Sequence, residues 1–227
     1  MENDIPVIAI DGPSASGKGT VARLVAEKLG FHYLDSGLLY RLLAYAAQQT
    51  GVALDVEAGL AELARTLAPR FENERVFLGE LEVGEKIRSE AAASGASKIA
   101  GFPLVRKSLL EKQHSFRRNP GLVADGRDMG AVVFPDAALK IFLTASPEER
   151  ANRRHKQLIE KGMRANLAEI LRDIQLRDAR DSQRSVAPLQ KCVDAELLDS
   201  TSLTIDQVVA EVVARYRNPG SRLVPSR

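Results

Sequence analysis

The sequence predicts an α/β fold in which a parallel sheet is covered by helices on both faces. Short apolar runs alternate along the chain with longer segments that repeat hydrophobic residues at helical spacing. Runs such as IPVIAID at 5–11 are continuous and rich in β-branched residues, which is typical of strands buried on both faces. Strands that alternate with helices form parallel sheets through right-handed crossovers.

In the first half of the chain, each of two strands leads into a helix. The run at 5–11 precedes GTVARLVAEKLG (19–30), whose valines and leucines recur at helical spacing before a terminal glycine. FHYLD (31–35) is a second short strand. Asp35 or Ser36 then caps the helix LLYRLLAYAAQQ.

The second half repeats this alternation after an irregular segment. The strand candidates are LVAD (122–125), LKIFLT (139–144) and AELLDST (195–201). Long helical patterns cover residues 147–161, 166–184 and 204–217. The irregular segment at 70–102 alternates apolar and polar residues around Gly79, which predicts an antiparallel hairpin, and ends in a small helical stretch. It is therefore interpreted as a compact insertion.

The composition excludes several classes of protein. The 227 residues are 44% hydrophobic and 27% charged, as in a globular domain, and the net charge of +2 requires neither a nucleic-acid polymer nor an anionic membrane as partner. Cys192 is the only cysteine, so no internal disulfide forms. No apolar run suits a signal peptide or a membrane helix, and the three scattered histidines argue against a structural zinc site. We expect a cytoplasmic protein.

A phosphate-binding loop follows the first strand. GPSASGKGT (12–20) fits the pattern G-x-x-x-x-G-K and opens a helix, so that Gly12 and Gly17 allow a tight turn whose backbone N–H groups face an anion. Lys18 can place its ammonium on the β and γ phosphates. A glycine-rich turn that binds nothing is the ordinary alternative, and the register of strand, loop, lysine and helix argues against it. The predicted contacts to the nucleotide phosphates are Gly12, Ser14, Ala15, Ser16, Gly17, Lys18, Gly19 and Thr20.

One departure within this loop narrows the class. Gly19 stands where the hydroxyl residue usually follows the lysine, and Thr20 supplies the hydroxyl one place later. This GKGT form resembles nucleoside monophosphate kinases more than GTPases, and no guanine-reading N-K-x-D motif occurs.

Several arginines stand where a phosphoryl-transfer site needs cations. Arg41 lies on the second helix, and Arg127 follows the third strand in a turn between glycines. Arg150, Arg153 and Arg154 share one face of a helix. Cations at such positions neutralise charge on a moving phosphoryl group, although a solvated helix face remains an alternative for residues 150–154.

The segment RDIQLRDARDSQR (172–184) carries charges on a core-facing side. An apolar stripe begins at Leu167 and continues to Ile174, and at about 100° per residue Asp178 and Asp181 fall within its arc. Arg177 and Arg184 fall at its edge, whereas Arg172 and Ala179 lie opposite. Charges that continue an inner face predict a polar site, against the ordinary alternative of a solvated charge run.

Taken together, these segments resemble bacterial cytidylate kinases. The matching segments are IDGPSASGKGT, LDSGLLYR, KIAGFPLVR, ADGRDMGAVVFPDA and RDARDSQRSVAPL. The resemblance implies a P-loop kinase core with a five-stranded parallel sheet, a small antiparallel insertion and a short lid. It also implies transfer of the γ-phosphate of MgATP to CMP or dCMP.

The resemblance also implies the organisation of the chain. One domain would span 1–227, with its core at 1–69, 103–149 and 166–218, a nucleotide-side insertion at 70–102 and a lid at 150–165. The segment 219–227 has no periodicity and contains two prolines, which independently predicts a disordered tail. Gly84 departs from the family, in which Ser or Thr is common before KIR.

The family's site residues carry over by position. Ser36, Arg41 and Arg127 would contact the CMP phosphate, and Ser97, Arg106 and Asp128 would read cytosine. Arg177 and Asp181 would hold the sugar, and Arg184 would reach phosphate oxygens. Lys18, Arg127, Arg153, Arg154 and Arg184 would act in catalysis, and Arg150 would bind ATP. Asp125 and Thr20 would act on Mg²⁺, both through water.

The cytosine assignment also agrees with the chemistry of the base. Cytosine presents an amino donor beside two acceptors, which match a carboxylate and a guanidinium. Uracil would place an acceptor against Asp128. Two rival functions remain open: a P-loop kinase for another acceptor, such as UMP or a small metabolite, and a non-catalytic nucleotide-binding module. We expect a monomer.

Overall fold

A computed structural model of the chain describes residues 5–72, 75–160 and 162–218. The tail predicted at 219–227 lies outside these residues. The described chain divides into two compact units. The first contains the residues before Asp35, those from Phe116 to Gln183 and those after Ala187. The second contains Asp35–Ser115 and Arg184–Ala187.

Strands and helices alternate through most of the described chain. In order, they are β1 Val7–Asp11, α1 Lys18–Leu29, β2 His32–Asp35, α2 Ser36–Thr50, α3 Glu57–Thr66, β3 Pro69–Glu72, β4 Arg75–Leu78, β5 Leu81–Glu82, α4 Gly84–Ile87, α5 Glu90–Ile99, α6 Pro103–His114, β6 Leu122–Gly126, a π-helical turn at Met129–Val133, β7 Leu139–Thr144, α7 Pro147–Glu160, α8 Leu167–Ser182, β8 Glu196–Asp199 and α9 Ile205–Arg217.

The first unit is built on a five-stranded parallel sheet with the order β2-β6-β1-β7-β8. Strand β1 lies in the middle, with Ala9 opposite Ala124 on one side and Ile10 opposite Ile141 on the other. All five of its residues are buried, because neighbours flank both edges and side chains cover both faces. This confirms the parallel sheet expected from the continuous apolar runs.

The main core of this unit lies between the sheet and two helices. Val25 of α1 and Val212 of α9 are fully buried in one cluster with Ile8, Ile141 and the neighbouring strand residues. Burial of each such side chain contributes about 1.5–3 kcal/mol relative to exposure. The apolar stripes of α1 and α9 therefore fix both helices on the sheet, and with them the loop that precedes α1.

The second unit contains the predicted antiparallel hairpin. Strands β3, β4 and β5 form a separate three-stranded sheet with antiparallel pairing, and Gly79 turns the chain between β4 and β5 with φ of 60°. In the helical part, α2 packs closely on α5, where a Cβ on Gly95 would lie 3.1 Å from the Cβ of Ala44. Helices α3 and α6 were not among the predicted elements.

Helix α8 differs from its prediction at both ends. The side-chain amide oxygen of Asn166 accepts from the backbone N–H groups of Ala168 and Glu169, so the helix begins only after this cap. The first residue of the predicted stripe, Leu167, is 44% exposed. The helix ends at Ser182, and the Asp181 carbonyl then accepts from Leu189 N at 2.8 Å. Arg184 therefore lies beyond the helix, so the helical angle predicted for it was wrong.

Candidate active site

The glycine-rich segment after β1 forms a tight loop that leads directly into α1. Gly12 approaches the neighbouring strand so closely that a Cβ there would clash with the backbone carbonyl of Leu143. Gly17, directly before the helix, has φ of 87°, which favours glycine. Ala15 has φ of 58°, a conformation that costs a non-glycine residue about 1 kcal/mol or more. These constraints fix the path that the loop backbone takes into the N-terminus of α1.

Two side chains of the loop, those of Lys18 and Ser16, are buried, and both can take part in phosphate binding. The Lys18 ammonium donates to the Pro13 carbonyl at 3.0 Å and so lies across the mouth of the loop. The Ser16 hydroxyl is buried and has no hydrogen-bond partner in the described part of the chain. With the positive end of α1 behind them, the loop N–H groups and the lysine form a site for a phosphate anion.

A cleft of about 540 Å³ opens beside the loop and has the size of a nucleotide pocket. The predicted ATP contacts that line it are Ala15, Ser16, Gly17, Lys18, Gly19 and Thr20, and the predicted catalytic residues Arg153 and Arg154 line it too. Gly12, Ser14 and Arg150 are not among its lining residues. The segment after β8 forms another wall with Ser200, Leu203 and Thr204, which sequence reasoning missed. The one sequence feature that could have indicated these three residues is their position just after the end of a strand.

The arginines at the start of α7 are directed inward, so a solvated face is wrong for Arg150 and Arg153. Arg150 is only 4% exposed and donates to the Ser14 carbonyl at 3.0 Å, and its guanidinium pairs with Asp178 at 2.6 Å. Arg153 donates to the Ser16 carbonyl at 3.2 Å and to the Ser200 carbonyl at 2.6 Å. Both side chains thus brace the backbone of the phosphate loop, and Arg153 also braces the cleft wall at Ser200.

The Asp125 carboxylate lies close to the start of α1. It is buried in β6, and the Tyr33 hydroxyl donates to its Oδ1 at 2.7 Å. A Cβ on Gly19 would lie 3.9 Å from both carboxylate oxygens, so the glycine leaves room between Asp125 and the loop. Tyr33 was not identified from the sequence.

The oxygen donors at this point suit Mg²⁺. The Asp125 carboxylate and the Thr20 hydroxyl are hard ligands, and Mg²⁺ commonly binds through one or two carboxylates, waters and substrate phosphates. Within the described ranges no cluster of three or more His, Cys, Asp or Glu could hold a metal ion by itself. The Asp125 and Thr20 oxygens fit a magnesium ion whose other ligands are waters or phosphate oxygens.

Arg127 and the buried Asp181 form an ion pair. The Arg127 Nε donates to Asp181 Oδ2 at 2.9 Å, and Asp181 is only 1% exposed. The exposed Arg172 and Ala179 lie on other faces of α8. The inward direction predicted for Asp181 is thus confirmed, and the pair holds the guanidinium of Arg127 at the end of β6 beside the buried Asp128.

The turn that carries Asp128 is held by a carboxylate from β1. Both oxygens of Asp11 accept 2.8 Å hydrogen bonds, one from the backbone N–H of Met129 and one from that of Gly130. Burial raises the pKa of Asp11 from 3.8 to about 6, with a smaller contribution from the Asp128 charge, and the two N–H groups only partly oppose this rise.

This pKa predicts a specific pH dependence of stability. Because the folded pKa exceeds the unfolded one, the Asp11 contribution is fully present below pH 3.8 and is lost as pH rises through about 6. Between pH 7 and pH 5, the free energy of unfolding of the wild type should increase by about 1 kcal/mol relative to Asp11→Asn. Urea unfolding of both proteins measures this difference, and an increase toward higher pH would contradict the assignment.

Five predicted site residues lie in the second unit. The Asp35 side chain accepts from Leu38 N and so caps α2, which settles the alternative with Ser36. Ser36 is buried and accepts from the Gln113 side-chain amide at 3.0 Å, a partner that the sequence did not reveal. The arginines of this set each donate to a backbone carbonyl: Arg41 to Ile87 at 3.4 Å, Arg106 to Ala100 at 3.3 Å and Arg184 to Ser97 at 3.3 Å.

Comparisons with known proteins agree on one family. The family model described as cytidylate kinase matches residues 8–218. A cytidylate kinase of Nitrosomonas eutropha is 55% identical over 97% of this chain and 99% of its own length. Those of Chromobacterium violaceum and Bordetella pertussis are 60% and 57% identical, each over 92% of this chain and over 94% and 93% of their own lengths. None of the described helices is long and apolar enough to cross a membrane.

Proposed function

We propose which residues of this chain bind the substrates and act in catalysis, on the basis that the chain belongs to the cytidylate kinase family. The chain is an ATP-dependent nucleoside monophosphate kinase that phosphorylates CMP. The observation that carries this conclusion is the family match over residues 8–218, which includes the phosphate loop and every predicted site residue.

On the donor side, the loop N–H groups and Lys18 bind the β and γ phosphates of ATP. The bond between the γ phosphorus and the β–γ bridging oxygen breaks as a CMP phosphate oxygen forms a new bond to that phosphorus, which yields ADP and CDP. Arg153 and Arg154 neutralise charge on the moving group. No general base is required, because the attacking phosphate oxygen is already anionic.

Asp125 and Thr20 would hold Mg²⁺, through water, next to the phosphates. When bound, the ion would neutralise negative charge on the phosphate oxygens. Tyr33 supports this role because its hydroxyl fixes the orientation of the Asp125 carboxylate.

On the acceptor side, the residues keep the roles that the resemblance implies. Ser36, Arg41 and Arg127 contact the CMP phosphate, and Arg184 reaches phosphate oxygens. Gln113 supports the role of Ser36, because an amide N–H that donates to the hydroxyl oxygen leaves the hydroxyl proton available for a phosphate oxygen. Arg177 and Asp181 hold the sugar. Use of dCMP, the lid at 150–165, the monomeric state and the cytoplasmic location stay predictions.

Ser97, Arg106 and Asp128 read the base, and acceptor selectivity tests this proposal. ADP release measured with CMP, UMP and AMP should be fastest with CMP, because Asp128 would accept from the cytosine amino group. In Asp128→Asn, kcat/KM for CMP should fall by about 10- to 100-fold, and the preference for CMP over UMP should shrink with it.

Asp55→Asn is the matched control, since Asp55 is exposed, and it should keep both values. A far better turnover of UMP or AMP by the wild type would overturn the proposed substrate. ATP binding without any acceptor-dependent turnover would instead favour the non-catalytic module.

A further inference from the structure

Helix α8 carries two inward carboxylates, and each binds a different arginine. Asp178 pairs with Arg150 at 2.6 Å, and Asp181 pairs with Arg127 at 2.9 Å. The two acids are three residues apart and therefore share one side of the helix. Asp181 has a predicted substrate role, whereas no such role falls to Asp178.

The surroundings of Asp178 connect it to the phosphate loop. Its Oδ1 accepts from the Ser14 hydroxyl at 3.4 Å, while Arg150, its ion-pair partner, donates to the Ser14 carbonyl at 3.0 Å and to the Ala145 carbonyl at 3.0 Å. Ser14 is thus held at both its hydroxyl and its carbonyl. The next residue is Ala15, whose positive φ has to be maintained by contacts such as these.

The charge of Asp178 is what allows Arg150 to occupy this place. Arg150 is 4% exposed, and a guanidinium that deep is stable only when a carboxylate neutralises it. Without that partner the arginine would turn toward water and release the Ser14 carbonyl. Neither Asp178 nor Arg150 lines the nucleotide cleft, so both can act on the loop from behind.

We propose that Asp178 is a positioning residue for ATP binding, which keeps Arg150 on the backbone of Ser14 and thereby holds the phosphate loop in its ATP-binding shape. The inference rests on the proposed function in that ATP occupies this loop. Because Asp181 on the same helix holds Arg127, α8 connects the donor loop with a cation assigned to the acceptor phosphate.

Asp178→Asn tests this role. The amide keeps the size of the side chain and can still accept from Ser14, but it cannot neutralise Arg150. We expect KM for ATP to rise about tenfold, with KM for CMP within about twofold of the wild type, as for loss of one buried charge-assisted contact. Asp173→Asn, an exposed acid on the same helix, is the control and should change neither KM.

A second pair of variants separates positioning from a merely structural role. Arg150→Lys should also raise KM for ATP, since a compact ammonium cannot reach both Ser14 and Asp178, and it provides the same readout if Asp178→Asn fails to fold. The double variant Asp178→Asn/Arg150→Lys should be no worse than the poorer single variant, because both act through one contact.

The outcomes distinguish this inference from the proposed function. A wild type without CMP-dependent ADP release refutes the function. An active wild type combined with a lower Tm but an unchanged KM for ATP in the variants overturns the positioning role. Additive effects in the double variant would also overturn it, because they would show that Asp178 acts independently of Arg150.

Discussion

Lys18→Met is expected to lower kcat by about 10²- to 10³-fold, the usual cost of removing one preorganised donor from a transition state. The Lys18 ammonium is buried across the mouth of the loop. In the proposed reaction it stabilises the negative charge that develops on the β and γ phosphates. Methionine preserves the length of the side chain and removes only the charge and the donors. Single-turnover ADP formation at saturating CMP measures the loss.

Lys28→Met is the matched control, since Lys28 lies on the same helix and is exposed. It should keep full activity. If Lys18→Met bound ATP normally and also turned over at the wild-type rate, the loop would not be the donor site.

Arg184→Ala should lower kcat/KM for CMP by about 100-fold, because an arginine that binds a phosphate supplies both charge and directed donors. The side chain is half-buried and donates to the carbonyl of Ser97, one of the predicted cytosine contacts. Steady-state kinetics with varied CMP measure the effect.

Arg172→Ala tests the same substitution at an exposed position on α8 and should be nearly silent. Equal losses in the two variants would contradict the distinction between inward and outward arginines in the segment 172–184.

The sequence predicted best those parts of the fold that are determined by residues close together in the chain. A short continuous apolar run rich in β-branched residues favours a strand buried on both faces. A glycine-rich turn followed by lysine and a helix forms from neighbouring residues, so β1, the loop and α1 were located closely. Helices α3 and α6 were missed because their apolar residues face other helices of the second unit, where no strand boundary marks them. The end of α8 depends on a bond from Leu189, which periodicity cannot reveal.

The same distinction holds for the candidate site. The loop residues and Asp181 were predicted as site residues because a motif or a helical period marks them. Tyr33, Gln113 and Ser200 take part through contacts with residues that are 47 to 92 positions away. Asp178 was placed on the core-facing side of its helix, but its role depends on contacts with Arg150 and Ser14, which form only in the folded chain.

The contact of Gly12 with β7 has a consequence for motion in the loop. Because the backbone of Gly12 packs directly against the Leu143 carbonyl, the first residue of the loop has little room to move toward β7. Any adjustment to an arriving nucleotide must therefore arise between Pro13 and Gly17, where the backbone already occupies less common conformations. Exchange of amide hydrogens should accordingly be slow up to Gly12 and respond to ATP only beyond it.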